Sequence, residues 1–180
     1  MAGVTYKFYV VATSNVGNVQ ANAQTSAVST QAINITAANY WRLQSFSIAT
    51  NTGIAADSYI NSDGLSNLTK YGLVIPPGGS GVHLLPAPQV VSYSDGKRLA
   101  MAFYRDPSRN DITLEVQAAD TPEGPWTTVA TSVNGAPFTG PGFVQEGFAE
   151  GGLMSVEVRD VMNVNSTVSG GRFMRATVTH

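Results

Sequence analysis

The chain has 180 residues, a formal net charge of −2 and no cysteine, and only 12% of its residues are charged, about half the usual ~25%. With no basic block a nucleic-acid partner is not expected, and the missing thiols exclude disulfides, thiolate zinc sites and cysteine nucleophiles. No apolar run approaches the ~18 residues of a membrane-spanning helix.

Gly, Ser, Thr, Asn and Val fill the gap left by the charges, a mixture suited to all-β extracellular proteins with many tight turns. Met1-Ala2-Gly3 runs directly into strand-like sequence with no signal peptide, so an exported parent is expected to carry its signal upstream.

Val4 to Thr13 alternates around Tyr6, Phe8 and Val10 and predicts a strand. A turn at residues 14–18 leads to a second, antiparallel strand over Ala27 to Ala32. Tyr40, Leu43 and Phe46 share one face of a short helix over 39–46. Ala49 to Ser62 reads as a loop, and Asp63 to Tyr71 as a second short helix with Leu65, Leu68 and Tyr71 inward and Ser62 or Asp63 as its cap. Pro76-Pro77-Gly78-Gly79-Ser80-Gly81 breaks regular structure and marks an internal boundary.

Beyond it strands follow one another without helices. They cover Gln89 to Tyr93, then a hairpin turn at Ser94-Asp95-Gly96-Lys97, Arg98 to Arg105, the row Ile112, Leu114 and Val116, and Trp126 to Ala130. Asn134 to Gly152 reads as a long loop, and Met154 to Val158 and Arg172 to Thr179 as the last strands. The pattern predicts a mainly β fold, an antiparallel β-sandwich over 86–180. A helical and loop connector over 33–85, with its helices near 39–72, and a two-strand remnant over 1–32 precede it.

Between Asp57 and Tyr71 lies most of a calcium loop. Asn61, Asp63, Gly64 and Asn67 stand at its third, fifth, sixth and ninth positions, but Tyr59 occupies the first and Lys70 the twelfth. A phenol does not replace the opening carboxylate, and an ammonium repels the ion. Asp57, Asn61, Asp63 and Asn67 are therefore the candidate metal ligands, and the ligand count favours a helix start over a calcium site. No cofactor is expected.

Two resemblances follow. Gly3-Val-Thr-Tyr6-Lys-Phe8-Tyr-Val10-Val-Ala12 with Asn15 and Gly17-Asn18 is similar to the last two strands of a fibronectin type III domain. The remainder resembles a C-terminal module of large exported proteins of Verrucomicrobia-like bacteria. Its motifs are Trp41, Asn51-Thr-Gly53, Asp63-Gly64-Leu65-Ser66-Asn67-Leu68, Gly124-Pro125-Trp126, Ala136-Pro137-Phe138-Thr139-Gly140 and the closing Arg172-Phe173-Met174-Arg175. This resemblance implies an extracellular or cell-surface accessory module.

Catalytic candidates are few. His83 lies near Gly79-Ser80-Gly81, but a nucleophile elbow needs Gly two residues on each side of the serine, and Val82 stands in one of those places. Glu146 and Glu150 are spaced for one helical turn, and a glycosidase needs two carboxylates about 5–10 Å apart; without a cleft they read as solvated charges. Aromatic faces suit sugar rings, and Tyr104 with the loop aromatics Phe138, Phe143 and Phe148 are the candidate ligand contacts. Trp41 and Trp126 are expected in the core. The favoured expectation is a non-catalytic accessory module contacting polysaccharide. The alternatives are a homo-oligomer paired through the N-terminal hairpin and an unorthodox hydrolase.

Overall fold

The period-two rows Leu99-Met101-Phe103 and Leu114-Val116-Ala118 become the inward faces of two antiparallel sheets in the computed structural model. Residues 35–164 and 171–180 are described, together with the backbone of 5–8 and 28–31. The chain divides into two units, residues 1–36 and 37–180. In the first, β1 (Thr5–Phe8) pairs antiparallel with β2 (Val28–Gln31), Thr5 opposite Gln31. Val4, residues 9–13 and the turn at 14–18 lie outside the described residues.

The second unit holds β3 (Gln89–Tyr93), β4 (Gly96–Arg105), β5 (Thr113–Ala119), β6 (Thr127–Val133), β7 (Phe143–Phe148), β8 (Met154–Arg159) and β9 (Phe173–Thr179). They form a four-stranded sheet, β3-β4-β8-β7, and a three-stranded sheet, β6-β5-β9, antiparallel at every pairing. Met101, Phe103, Val156 and Val158 of the first sheet and Leu114, Val116, Val129 and Met174 of the second make one core. Burying each such side chain contributes about 1.5–3 kcal/mol. The fold is the expected mainly β sandwich.

Charge holds the two sheets together as well. Asp160, just after β8, is fully buried and accepts from Nε and Nη2 of Arg172, just before β9, each at 2.7 Å. The pair is bidentate and joins one sheet to the other.

The segment expected as a connector over 33–85 instead closes the core. Helix α1 (Ala37–Phe46) and helix α2 (Asn67–Gly72) bring Ala38 and Tyr71 into the same cluster as the sandwich residues, with Leu73 and Ile75 beside them. Trp41 packs on Tyr71 with ring centroids 5.3 Å apart. Gly72 sits so close to β9 that a methyl on it would lie 2.5 Å from Val178 Cγ1. Helix α2 starts later than expected: Ser66, not Ser62 or Asp63, is its cap, and Ser66 Oγ accepts from Thr69 N–H at 3.1 Å. After α2 the chain turns through Val74, which has φ +57, a region β-branched residues rarely adopt.

The long loop expected over 134–152 contains a strand, β7. Phe143 and Phe148 lie on it, and a register shift between Phe143 and Gln145 breaks the alternation by which a strand is read. Phe138, expected as a loop aromatic, is 1% exposed and packs edge-on against Phe103 at 5.7 Å. Thr139, bridged to Thr131, pins it inward. Trp126 is half-buried and carries the Arg175 guanidinium over its ring at 4.2 Å, so it is a surface stack beside β6 and not a core plug.

Candidate functional site

Register fixes what the four-stranded sheet shows to its outer side. Tyr93 of β3, Ala102 and Tyr104 of β4, Ser155 and Glu157 of β8, and Gln145 and Gly147 of β7 share that face. At its centre Glu157 accepts from the Tyr93 hydroxyl at 2.6 Å and from Gln145 Nε2 at 2.9 Å. Burial, then the bond to Glu157, pushes the Tyr93 phenol up to about 12. The Arg159 guanidinium lies over the Tyr93 ring at 4.8 Å and donates to Asp95 at 2.8 Å. Hydrogen bonds from Arg98 and Arg159 outweigh desolvation and hold the Asp95 carboxyl below its ordinary range.

Two exposed aromatics lie nearby: Tyr104, 55% exposed, on this face, and Phe148, 93% exposed, at the end of β7, where its pairing with Met154 puts it in the alternate row. Between β4, β8 and β7 runs a shallow groove of about 260 Å³, bordered by Ala102, Gln145, Gly147, Phe148, Ser155 and Glu157. The small side chains at Ala102 and Gly147 leave its floor open, and the glutamate, amide and hydroxyl supply polar contacts. Tyr104, with Glu150 and Leu153, borders an adjoining depression of about 360 Å³. On the other side of β4 a groove of about 490 Å³ takes in Tyr104, Glu157 and His83.

The sequence candidates divide. Tyr104 stands on this face, whereas Phe148, opposite Met154, belongs to the other row of β7 and lies exposed at the end of that strand. Phe143 is half-buried against the core, and Phe138 is inside it. Neither offers a free ring. Glu146 and Glu150 do not share a helical turn: Glu146 is on β7 and points inward, and Glu150 begins an exposed 3-10 turn. Glu146 lies 2.5 Å from Arg105, their side chains 6% and 3% exposed, and it also accepts from Phe138 N–H at 3.1 Å. A carboxylate so engaged is not a solvated charge. His83 sits exposed in a 3-10 turn over Val82–Leu84. Glu157, the polar centre of the face, was legible only as a solvent-side residue of an alternating strand.

The calcium-like loop is filled from within. Asp57 takes Arg42 Nη2 at 2.5 Å and Asn51 Nδ2 at 3.0 Å, and His180 Nδ1 lies 2.8 Å away. Desolvation opposes ionisation of Asp57, but the bonds from Arg42 and His180 outweigh it and lower its pKa. Asn67 donates to the carbonyls of Ile54 and Ala56, and Asn61 to Asn67 Oδ1 and Leu65 O. Lys70 is wholly buried. Its Nζ lies 2.8 Å from Asp63 Oδ2 and donates to the carbonyls of Pro77 and Gly79 at 3.2 Å each. The bond from Lys70, then that from Gly81 N–H, holds the Asp63 carboxyl down to about 2. The ammonium does not merely repel an ion; it stands among the oxygens that would bind one.

Comparison with protein-family models, with curated proteins and with solved structures finds no match in any of the three.

Proposed function

We propose that the chain is a non-catalytic binding module that holds an extended carbohydrate across the outer face of the four-stranded sheet. The observation that carries this reading is the Tyr104 ring, 55% exposed on the same face as Glu157, with the open Phe148 residue, 93% exposed, at the end of the groove beside them. A ring so open to water is free to stack on a ligand without unpacking from the protein. A pyranose presents an apolar face to such a ring and hydroxyls to Glu157, Gln145 and Ser155. Phe148 supplies a second open ring at the end of β7. The reading needs no cofactor, and it fits an accessory role at the end of an exported bacterial protein, which the sequence resemblance implies.

Pull-down on a panel of insoluble and soluble polysaccharides tests it. At least one should retain the chain, and Phe148→Ala and Tyr104→Ala should each weaken retention about tenfold, the loss of a hot-spot contact. Retention unchanged in both variants, or no retention on any polysaccharide, refutes the reading.

A further inference from the structure

The peptide groups of β4 form a second surface, next to the groove beside β7 and sharing Ala102 and Glu157 with it. The Leu99 carbonyl accepts from Asp160 N–H, so Leu99 directs its peptide groups toward β8. Direction alternates along an antiparallel strand. Ala100, Ala102 and Tyr104 therefore turn their N–H and C=O the other way. Ala100 uses that side to pair with Gln89, the first residue of β3. The same register continued would set Ala87 against Ala102 and Leu85 against Tyr104. The Pro86-Ala87-Pro88 run forms no ladder, however, and among the described residues Ala102 and Tyr104 have no backbone partner on that side.

What lies there is the groove of about 490 Å³, bordered by residues 101–104 of β4 and by Leu73, Leu84, Leu85 and Pro86. Its walls are mainly apolar, with one carboxylate, Glu157, directly across from Ala102 on β8. The hydrogen-bond partners of Glu157 are the neutral Tyr93 hydroxyl and Gln145 amide. An open strand edge presents donor and acceptor pairs that recur every two residues, about 6.6–6.8 Å, a repeat matched by another extended backbone.

We propose that the open edge of β4 is a strand-addition site for an extended segment of a partner polypeptide, with Lys or Arg at the residue opposite Ala102 and apolar residues on either side. Residues opposite each other share a sheet face. A long basic side chain there crosses the small Ala102 and reaches Glu157. The flanking residues turn to the other face, where Leu73, Leu85 and Phe103 border the groove.

An array of random N-acetylated, C-amidated heptapeptides, probed with the full chain, tests this. Bound peptides should be enriched in Lys or Arg at one position between two apolar residues. Ala102→Pro deletes the open-side N–H while leaving the β8 ladder intact, and should weaken binding about tenfold, the equivalent of one lost hydrogen bond. Glu157→Lys should shift the preferred central residue to Asp or Glu. N-methylation of alternate peptide residues should abolish binding in one phase and spare it in the other, which keeps the test open if the proline variant does not fold. No enrichment, or binding indifferent to both N-methylation phases and to Glu157→Lys, overturns the proposal. A wild-type chain that is dimeric by light scattering and monomeric as Ala102→Pro reassigns the edge to a second copy and overturns the partner assignment. Ala102, Tyr104 and Glu157 border this groove and serve both readings, whereas Phe148 does not border it, so polysaccharide retention read with Phe148→Ala and peptide binding read with the two N-methylation phases fail independently.

Discussion

Replacing Arg105 by Met leaves Glu146 inside the sandwich without its cation. The two side chains are 3% and 6% exposed, and Arg105 also donates to the Gly135 carbonyl at 2.9 Å. After the substitution Glu146 keeps Phe138 N–H as a partner, at 3.1 Å, which is not enough to replace the lost charge. Breaking such a buried pair from one side costs about 3–5 kcal/mol. At this size each kcal/mol moves the thermal midpoint by about 3 °C, so a fall of about 10–15 °C is expected. The double variant Arg105→Met/Glu146→Leu removes both charges and should recover most of that loss, because the pair repays its own desolvation poorly. Urea unfolding followed by tryptophan fluorescence on the wild type, both single variants and the double variant gives the coupling energy directly. A single-variant cost below about 1 kcal/mol, the range of exposed pairs, would falsify the claim that this pair is internal.

Acid titration should single out Asp63. Its folded pKa is lowered to about 2 from about 3.9 in an unfolded chain. Its contribution is therefore complete above about pH 4 and is lost as pH falls from 4 through 2; Asp63→Asn should flatten that part of the stability curve, and an unchanged curve counts against the Lys70 contact. Gly72→Ala should reverse the usual sign. Alanine normally stabilises a helix by about 0.5–1 kcal/mol over glycine, but here the methyl would meet Val178 at 2.5 Å, so denaturant unfolding should show a net loss of about 1–3 kcal/mol. Calcium should leave the thermal midpoint of the wild type nearly unmoved. Lys70→Glu, which adds a carboxylate beside Asp63 and the carbonyls of Pro77 and Gly79, should make the midpoint rise with calcium. A rise of several degrees in the wild type instead would show that the loop still binds the ion.

The sandwich was readable because its core rows alternate cleanly, as at Leu99-Met101-Phe103, and because each turn carries its own signal, as at Ser94-Asp95-Gly96. Strand β7 was not. Gly140 and Gly142 precede it, Gly147 lies within it, and the shift at Phe143 and Gln145 puts its alternation out of phase. Phe138 reads as exposed for the same reason: a glycine-rich neighbourhood resembles a surface loop, and only the pairing of Thr139 with Thr131 reveals that the chain dips into the core. For the outer face, sequence supplied the Tyr104 ring but not its neighbours. Glu157 and Gln145 come from successive strands and Tyr93 from one 64 residues before Glu157, and register brings the three together. At the calcium-like loop the sequence revealed that Lys70 opposes an ion. That its ammonium is the loop's own cation depends on where Pro77 and Gly79 return, which local spacing does not contain.

A dissociable ion is present only while its concentration exceeds its dissociation constant, so a loop that depends on one is ordered in some surroundings and loose in others. The charge on Lys70 is attached to the backbone and its occupancy is set when the chain folds. The Pro77–Gly79 turn, with its two carbonyls aimed at that charge, therefore needs no dissolved ion to hold it. What such a loop gives up in exchange is the capacity to report on a dissolved metal ion: a tethered cation supports the fold at any ion concentration.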